Sequence, residues 1–178
     1  MVTLAQQLWQ RLTVDLAAAR VRPACRLPFV ARLDAALQAN ARGSGLLRVR
    51  LRGLPAMDRR LGTAGTERLL AAVAQVLQSY PRRVKGALAG RLGSSDAALY
   101  LPAAGLCEET ARSLLLALRA ALAAVDPLAE LAIGAAELPP HCGAPIALAR
   151  CADALAQAEG EGAFALALAP RLADIGHV

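Results

Sequence analysis

The sequence predicts an α/β sandwich in which a central mixed five-stranded sheet is flanked by helices. Two observations lead to this class. At 178 residues the chain is long enough for one domain with a complete hydrophobic core. Segments with helical periodicity alternate with segments typical of strands, and one hairpin lies near the middle. Hydrophobic residues make up 56% of the chain and aromatic residues 3%, so the core must be built from small aliphatic side chains.

The first segment with a clear period lies at the N-terminus. Its leucines recur about every fourth position, which predicts an amphipathic helix over residues 3–19; they are Leu4, Leu8, Leu12 and Leu16. This stripe fits a signalling or linker helix that dimerises and fits equally an ordinary capping helix, and both interpretations stay open. We assign residues 1–20 to this helix, 21–169 to the main domain and 170–178 to a C-terminal tail or linker.

The main domain has a regular order of elements. A helix is predicted to begin at Pro28 and to end near Asn40. The segments that follow are a strand over 46–54, a short helical turn at Pro55, a helix over 66–80, a hairpin with its tip at 93–96, a helix over 106–125, a strand over 128–138, a helix over 145–158 and a strand over 163–169. Without the first helix this order predicts a ferredoxin-like β-α-β-β-α-β core with one helix and one strand added.

The first strand carries an unusual set of charges. Its apolar residues alternate strictly with Arg48, Arg50 and Arg52, so the three arginines share one face of the sheet. Three guanidinium groups on one face could bind phosphates without a metal. The alternative, which we favour, is that they reach from the open face of the sheet towards solvent and pair with nearby acids such as Asp58 or Asp96.

Composition excludes several classes of function. No apolar run reaches the ~18 residues that would span a bilayer, and the N-terminus has no basic region followed by an apolar one, as a signal peptide would. We therefore expect a cytoplasmic domain without direct membrane insertion, or the cytoplasmic part of a membrane-anchored protein. The net charge of +6 is a mild excess, and stacking aromatics are nearly absent, so nucleic acid is not expected as a partner.

Cysteine and histidine could supply metal ligands. The four cysteines show no C-x-x-C spacing, and the best available set is His141, Cys142 and Cys151. Without a paired motif this set is a weak candidate, and free thiols in a reducing compartment are the better interpretation. We expect no bound metal and no cofactor.

Several short stretches resemble one known family. "RLGSSDAALYLP" (91–102) is similar to the R-L-G-G-D-E-F-x-x-x-L-P signature of the GGDEF family of diguanylate cyclases. "LAIGAAELPP" (131–140) resembles the "SIGVA" strand of that family, "CADALAQAEGEG" (151–162) the end of its last helix, and "FVARLDAAL" (29–37) its first helix. The resemblance covers roughly residues 20–168. It implies a nucleotide-cyclase-like fold and, in an intact family member, condensation of two GTP into cyclic di-GMP.

The signature itself is degenerate. By this resemblance Gly93 keeps the first glycine, Ser94 replaces the second, and Ala97 replaces the phenylalanine. Ser95 replaces a carboxylate that binds metal in the family, whereas Asp96 retains the acid that follows it. A two-metal transfer of nucleotides needs carboxylate oxygens around hard divalent ions. We therefore expect no catalytic residue in this hairpin.

The other positions that the family uses are altered as well. The resemblance puts the first metal aspartate on Arg50, and the two residues that contact guanine on Asp58 and Thr66. It puts a phosphate-binding lysine on Glu159, which reverses the charge. The Arg-x-x-Asp motif for product inhibition is absent from "RRVKGALAG" (82–90), which contains no acid.

These departures predict a catalytically inactive GGDEF-like regulatory or scaffold domain in bacterial cyclic di-GMP signalling. By resemblance, such domains often belong to a longer protein with an EAL-type phosphodiesterase domain, so we expect the partner to be another domain of the same protein or a second copy in a homodimer. One alternative is a module that binds GTP or cyclic di-GMP without turnover, through Arg50 and the hairpin. A second is an active diguanylate cyclase with an altered metal site.

Overall fold

The computed structural model describes residues 27–171, and the helix predicted over 3–19 lies outside them, as does most of the predicted tail. The helices are α1 (Leu27–Ala39), α2 (Leu54–Arg83), α3 (Cys107–Ala123) and α4 (Ala144–Glu161). The strands are β1 (Ser44–Arg52), β2 (Leu88–Arg91), β3 (Asp96–Leu101), β4 (Glu130–Leu138) and β5 (Phe164–Leu168). Each helix and strand predicted within residues 27–171 is present, with ends that differ by a few residues.

The five strands form one mixed sheet in the order β2-β3-β1-β4-β5. β1 lies at the centre and is antiparallel to both β3 and β4. β2 pairs with β3 as an antiparallel hairpin, and β5 is parallel to β4 because α4 crosses over between them. The predicted ferredoxin-like core, with a helix and strand added at one edge, is confirmed.

Helix α2 contains an interruption that the sequence also predicts. It begins after Gly53 with a proline in its first turn. At Gly62 the backbone leaves the helical region with φ 69° and ψ 171°, a conformation that glycine adopts at little cost. The short turn at Pro55 and the longer helix from Thr66 are therefore two helical segments joined at Gly62.

The sheet is covered on both faces. On one face the apolar residues of β1 pack against α2 and α3; they are Leu47, Val49 and Leu51. On the other face α1 and α4 pack over Leu46 and Tyr100. Each buried leucine contributes about 1.5–3 kcal/mol to folding, so two apolar layers hold the sheet in place. The expectation that the arginine face of β1 is open is wrong, because α4 lies over it.

Helix α3 has one apolar face. Its apolar residues form a single buried stripe, made of Cys107, Ala111, Leu114, Leu118 and Leu122, and the opposite face is exposed and polar in part. It is therefore an amphipathic core helix. Within residues 27–171 no helix is long and apolar enough to cross a bilayer.

Candidate functional site

The tip of the β2–β3 hairpin is held by its own backbone and by one arginine. The amides of Leu92 and Gly93 donate to the carbonyl of Asp96 at 2.9 and 3.2 Å. The guanidinium of Arg91 donates to the carbonyl of Gly93 through Nε at 3.1 Å and through an Nη at 3.0 Å, and it also reaches the carbonyl of Ser94. These bonds fix a tight turn, which serine and glycine residues favour.

The tip is also attached to the central strand. The amide of Leu51 donates to the carbonyl of Ser95 at 3.0 Å, and the β1–β3 register puts Arg50 directly opposite Asp96. Residues opposite each other on antiparallel strands point to the same side of the sheet. The register therefore brings the carboxylate of Asp96 next to the guanidinium of Arg50.

Arg50 holds Asp96 with two parallel hydrogen bonds. Its Nε lies 2.6 Å from Asp96 Oδ1 and one of its Nη atoms lies 3.1 Å from Oδ2. Arg48 adds a third bond to Oδ2 at 3.0 Å. A guanidinium fork on a carboxylate is among the strongest ion-pair geometries in proteins. Both carboxylate oxygens of Asp96 therefore accept hydrogen bonds from arginine.

Glu159, in the last turns of α4, completes the set. The second Nη of Arg50 lies 3.1 Å from Glu159 Oε1 and 3.3 Å from Oε2. Arg50 thus joins β1, the hairpin and α4 through two carboxylates. We call Arg48, Arg50, Asp96 and Glu159 the ionic cluster. Its formal charge is zero, because two guanidinium groups balance two carboxylates.

The cluster alters the ionisation of its members. Burial is the largest single effect on Asp96 and opposes its ionisation, but the hydrogen bonds and charges of Arg50 and Arg48 together outweigh it and lower the pKa of Asp96. The hydrogen bond from Asp96 is the largest effect on Arg50 and raises its pKa above the ordinary value, although burial opposes this. Both groups are therefore charged over the whole physiological range.

Of the two expected partners of the arginines, the structure confirms Asp96, which pairs with both Arg48 and Arg50. Arg48 and Arg50 are not in open solvent: their side chains are 19% and 32% exposed, and Nε of Arg48 is buried without a hydrogen-bond partner. Arg52 pairs with Glu130 at 3.5 Å, not with the hairpin. Asp58 is exposed on α2 and forms no ion pair with any residue of the described segment, so its predicted pairing with the arginines is wrong.

Thr66 takes no part in the cluster either. It is 7% exposed on α2, and its hydroxyl has no hydrogen-bond partner within residues 27–171. The structure therefore brings together Arg50, Asp96 and Glu159 from the predicted site, and leaves Asp58 and Thr66 on a separate helix. The contact between Arg50 and Glu159 was not predicted. The sequence did contain a signal for this contact. By the family resemblance, position 50 should be acidic and position 159 basic, and in this chain both charges are reversed.

An elongated groove lies beside the tip, on the α2 side of the sheet. The open space along it, which includes solvent, is about 400 Å³, and it runs between the second half of α2 and the hairpin. Most of its lining is apolar; those residues are Leu51, Leu70, Val73, Ala74, Leu77, Ala89 and Ala97. Arg91 and the serines of the tip form its polar end. The groove is therefore apolar along its walls, with hydrogen-bonding groups at one end.

The donor set at the cluster does not fit magnesium. Mg²⁺ takes oxygen ligands in octahedral geometry, usually from one or two carboxylates. The carboxylates of Asp96 and Glu159 both face the guanidinium of Arg50, which lies between them. Among residues 27–171 no three His, Cys, Asp or Glu side chains group closely enough to hold a metal ion. His141 instead contacts the carbonyl of Gln38 through Nδ1 at 2.7 Å.

Comparison with known proteins supports the fold. No family model matches the sequence, and no curated protein matches it significantly. Solved structures do. The GGDEF domain of DgcB from Caulobacter crescentus, in complex with c-di-GMP, is 17% identical, with a TM-score of 0.68 over 81% of this chain and 87% of that one. The active GGEEF domain of a diguanylate cyclase from Vibrio cholerae is 16% identical, with a TM-score of 0.60 over 96% and 99%.

A third similar structure includes a protein partner. The diguanylate cyclase SiaD of Pseudomonas aeruginosa, in complex with its activator SiaC, is 20% identical, with a TM-score of 0.62 over 90% of this chain and 68% of that one. At these identities the likeness concerns the backbone. The chain has the fold of a GGDEF domain.

Proposed function

Starting from this GGDEF fold, we propose that the chain is a catalytically inactive regulatory domain of cyclic di-GMP signalling. One observation carries the proposal. Arg50 occupies the position in β1 where the resemblance puts a metal-binding aspartate, and its guanidinium is paired there with Asp96 and Glu159. Two of the structural neighbours are diguanylate cyclases or their domains, and a third binds c-di-GMP.

The charge of the Arg50 guanidinium argues against a metal-dependent reaction at the ionic cluster. A divalent cation about 4 Å from a guanidinium is repelled by on the order of 8 kcal/mol at an effective dielectric constant of about 20. An attractive site would need uncompensated carboxylates, but those of Asp96 and Glu159 are already paired with arginine. The cluster is neutral and therefore offers a metal ion no net attraction.

The same cluster suits a structural role. Through Arg50 it links the central strand, the hairpin and the C-terminal part of α4. We infer that the domain transmits a signal, or presents a surface, to a further domain of the same protein, with an EAL-type domain as the expected partner. The complex of one structural neighbour with an activator protein is a precedent for contact with a protein partner.

Incubation with GTP tests the proposal directly. The full chain, with Mg²⁺ or Mn²⁺ present, is expected to release no cyclic di-GMP when the products are separated by chromatography. A known active cyclase, assayed in parallel, shows that the conditions support the reaction. Production of cyclic di-GMP by the wild-type chain would overturn the proposal and favour an active cyclase with an altered metal site.

A charge-restoring variant sharpens this experiment. Arg50→Asp and Ser95→Glu together remove the positive charge of Arg50 from the ionic cluster and supply two further carboxylates there. We expect calorimetry to detect binding of Mn²⁺ to this variant and not to the wild type. Equal binding of Mn²⁺ to both proteins would mean that Arg50 does not exclude the metal.

The groove beside the tip favours a second candidate, which is binding of a guanine nucleotide without turnover. Its apolar walls and its polar end at Arg91 and the serines suit a flat base. Calorimetry with GTP and with cyclic di-GMP distinguishes this candidate from the scaffold. Ala74→Trp would fill the groove, so binding that this variant abolishes would support the second candidate. Absence of heat at high micromolar ligand would remove it.

A further inference from the structure

The two edges of the sheet differ in chemistry. β2 at one edge has four residues, ends in Arg91 and follows a turn that contains Lys85. Positive charges of this kind discourage a second chain from pairing with an edge strand. β5 at the other edge has the sequence FALAL and carries no charge. Only β2 therefore has the charged residues that usually block pairing between chains.

The outer side of β5 has hydrogen-bonding groups to offer. The amide of Leu131 donates to the carbonyl of Ala163, and the amide of Ala169 donates to the carbonyl of Ala135, both at 2.7 Å. In a parallel ladder with this register, Ala165 and Ala167 direct their amides and carbonyls towards β4. The amides and carbonyls of alternate residues, which are Phe164, Leu166 and Leu168, therefore point away from the sheet.

The side chains on this edge are also incompletely covered. Phe164 and Leu166 are half-buried against the main core, and Leu168 is 38% exposed. Within residues 27–171 no further strand lies beside β5. A new strand there would pair with the backbone and cover these three side chains together, because they lie on the same face.

We propose that β5 pairs with β5 of a second copy of this chain, antiparallel and centred on Leu166. This register puts Phe164 opposite Leu168, Ala165 opposite Ala167 and Leu166 opposite itself. The sequence FALAL has nearly the same order of large and small side chains when it is read from either end. Large residues meet large ones on one face, and alanine meets alanine on the other. A two-fold axis through Leu166 gives the self-complementary contact typical of homodimers.

This register also matches the hydrogen-bonding geometry. Phe164, Leu166 and Leu168 all point their backbone groups outwards, so each of the three facing pairs exchanges both N–H···O bonds. β5 itself brings no charged side chain into the contact. One pair of short strands is smaller than the interface of a stable dimer. We therefore expect a weak, concentration-dependent homodimer. The inference does not rest on the proposed function.

Sedimentation velocity and amide hydrogen exchange of the full chain test this inference together. In sedimentation the dimer fraction should rise between micromolar and millimolar protein. In exchange, the amides of Phe164, Leu166 and Leu168 should become at least tenfold slower over the same range. The amides of Ala165 and Ala167 should stay protected throughout, because they belong to the β4 ladder.

Two variants of one residue isolate the backbone bond. Leu168→Pro removes an outward N–H, and proline is tolerated at an edge position whose amide faces solvent. Leu168→Thr removes the leucine but keeps the amide. We expect the proline variant to weaken dimerisation at least tenfold more than the threonine variant, while circular dichroism shows that both retain the fold.

Three outcomes would overturn the inference. The first is a wild-type chain that stays monomeric at millimolar concentration with fast exchange at the three outward amides. The second is a dimer that the proline and threonine variants weaken equally, since it would use another surface. The third is protection of these amides only when an extended apolar peptide is added, which would assign the edge to a strand from a different protein.

Discussion

Replacing Asp96 by asparagine tests whether the ionic cluster stabilises the fold. The change keeps the shape of the side chain but removes the charge that receives hydrogen bonds from Arg50 at 2.6 and 3.1 Å and from Arg48 at 3.0 Å. The new amide N–H groups would face guanidinium N–H groups. We therefore expect Asp96→Asn to lower the free energy of unfolding.

The size of the loss follows from the exposure of the partners. Exposed ion pairs contribute about 0–1 kcal/mol, and loss of one partner of a fully buried pair costs about 3–5 kcal/mol. Asp96 is 15% exposed, and its partners Arg48 and Arg50 are 19% and 32% exposed, so the cluster lies between these limits. We expect a loss of about 2–3 kcal/mol, which lowers Tm by about 4–12 °C for a chain of this size.

The pH dependence gives a second measure. The folded-state pKa of Asp96 lies below its ordinary value, so its stabilisation is present above the unfolded carboxyl pKa of about 4. It is lost as the pH falls through the folded-state pKa. The difference in stability between wild type and Asp96→Asn should therefore be full at pH 7 and should shrink progressively in acid.

Urea denaturation followed by circular dichroism measures both quantities. Arg112→Gln is the matched control, because the pair of Arg112 with Glu108 is largely exposed, and we expect it to change stability by less than about 0.5 kcal/mol. A loss for Asp96→Asn as small as that of the control, or a loss that is the same at acid and neutral pH, would refute the reasoning.

The remaining predictions concern packing and thiols. Gly134→Ala in β4 should lower the free energy of unfolding by about 3 kcal/mol or more, and Tm with it. The reason is that a Cβ would lie 2.3 Å from the amide nitrogen of Leu155 and 2.4 Å from the carbonyl of Cys151. Gly160→Ala, on α4, meets no atom within 4 Å and should raise Tm slightly. Similar effects of the two substitutions would contradict the packing argument. Burial raises the pKa of the Cys107 thiol to about 12 and also raises that of Cys151. In a Cys25→Ser background we therefore expect both thiols to react with an aromatic disulfide reagent only after urea unfolds the chain. Rapid labelling of either in the native protein would count against this.

Much of the fold could be predicted because it depends on local periodicity. The alternation of apolar residues with Arg48, Arg50 and Arg52 predicts both the strand and the side of each residue. The structure confirms this, since Val49 lies in the main core while Arg50 lies on the opposite face. Gly62, which separates two helical patterns, marks the interruption of α2 correctly.

The predicted pairing of the arginines with Asp96 is confirmed, but the other partner of Arg50, Glu159, could not be predicted in the same way. Asp58 is close to Arg50 along the chain, but α2 carries it away to the surface, whereas Glu159 lies more than a hundred positions further on and contacts Arg50 at 3.1 Å. The expected open face of the sheet was wrong for the same reason. Sequence distance says nothing about where a crossover helix lies, and α4 covers that face.

The sequence by itself determined the elements, their order and the faces of β1, because each of these depends on residue type and spacing. Tertiary structure alone brought Glu159 to Arg50 and set the geometry of each ion pair. The β1–β3 register put Asp96 opposite Arg50, and the close packing of α4 over Gly134 brought Glu159 to the same guanidinium. Ion pairs form between groups a few ångströms apart in space, and only the packed fold sets those distances.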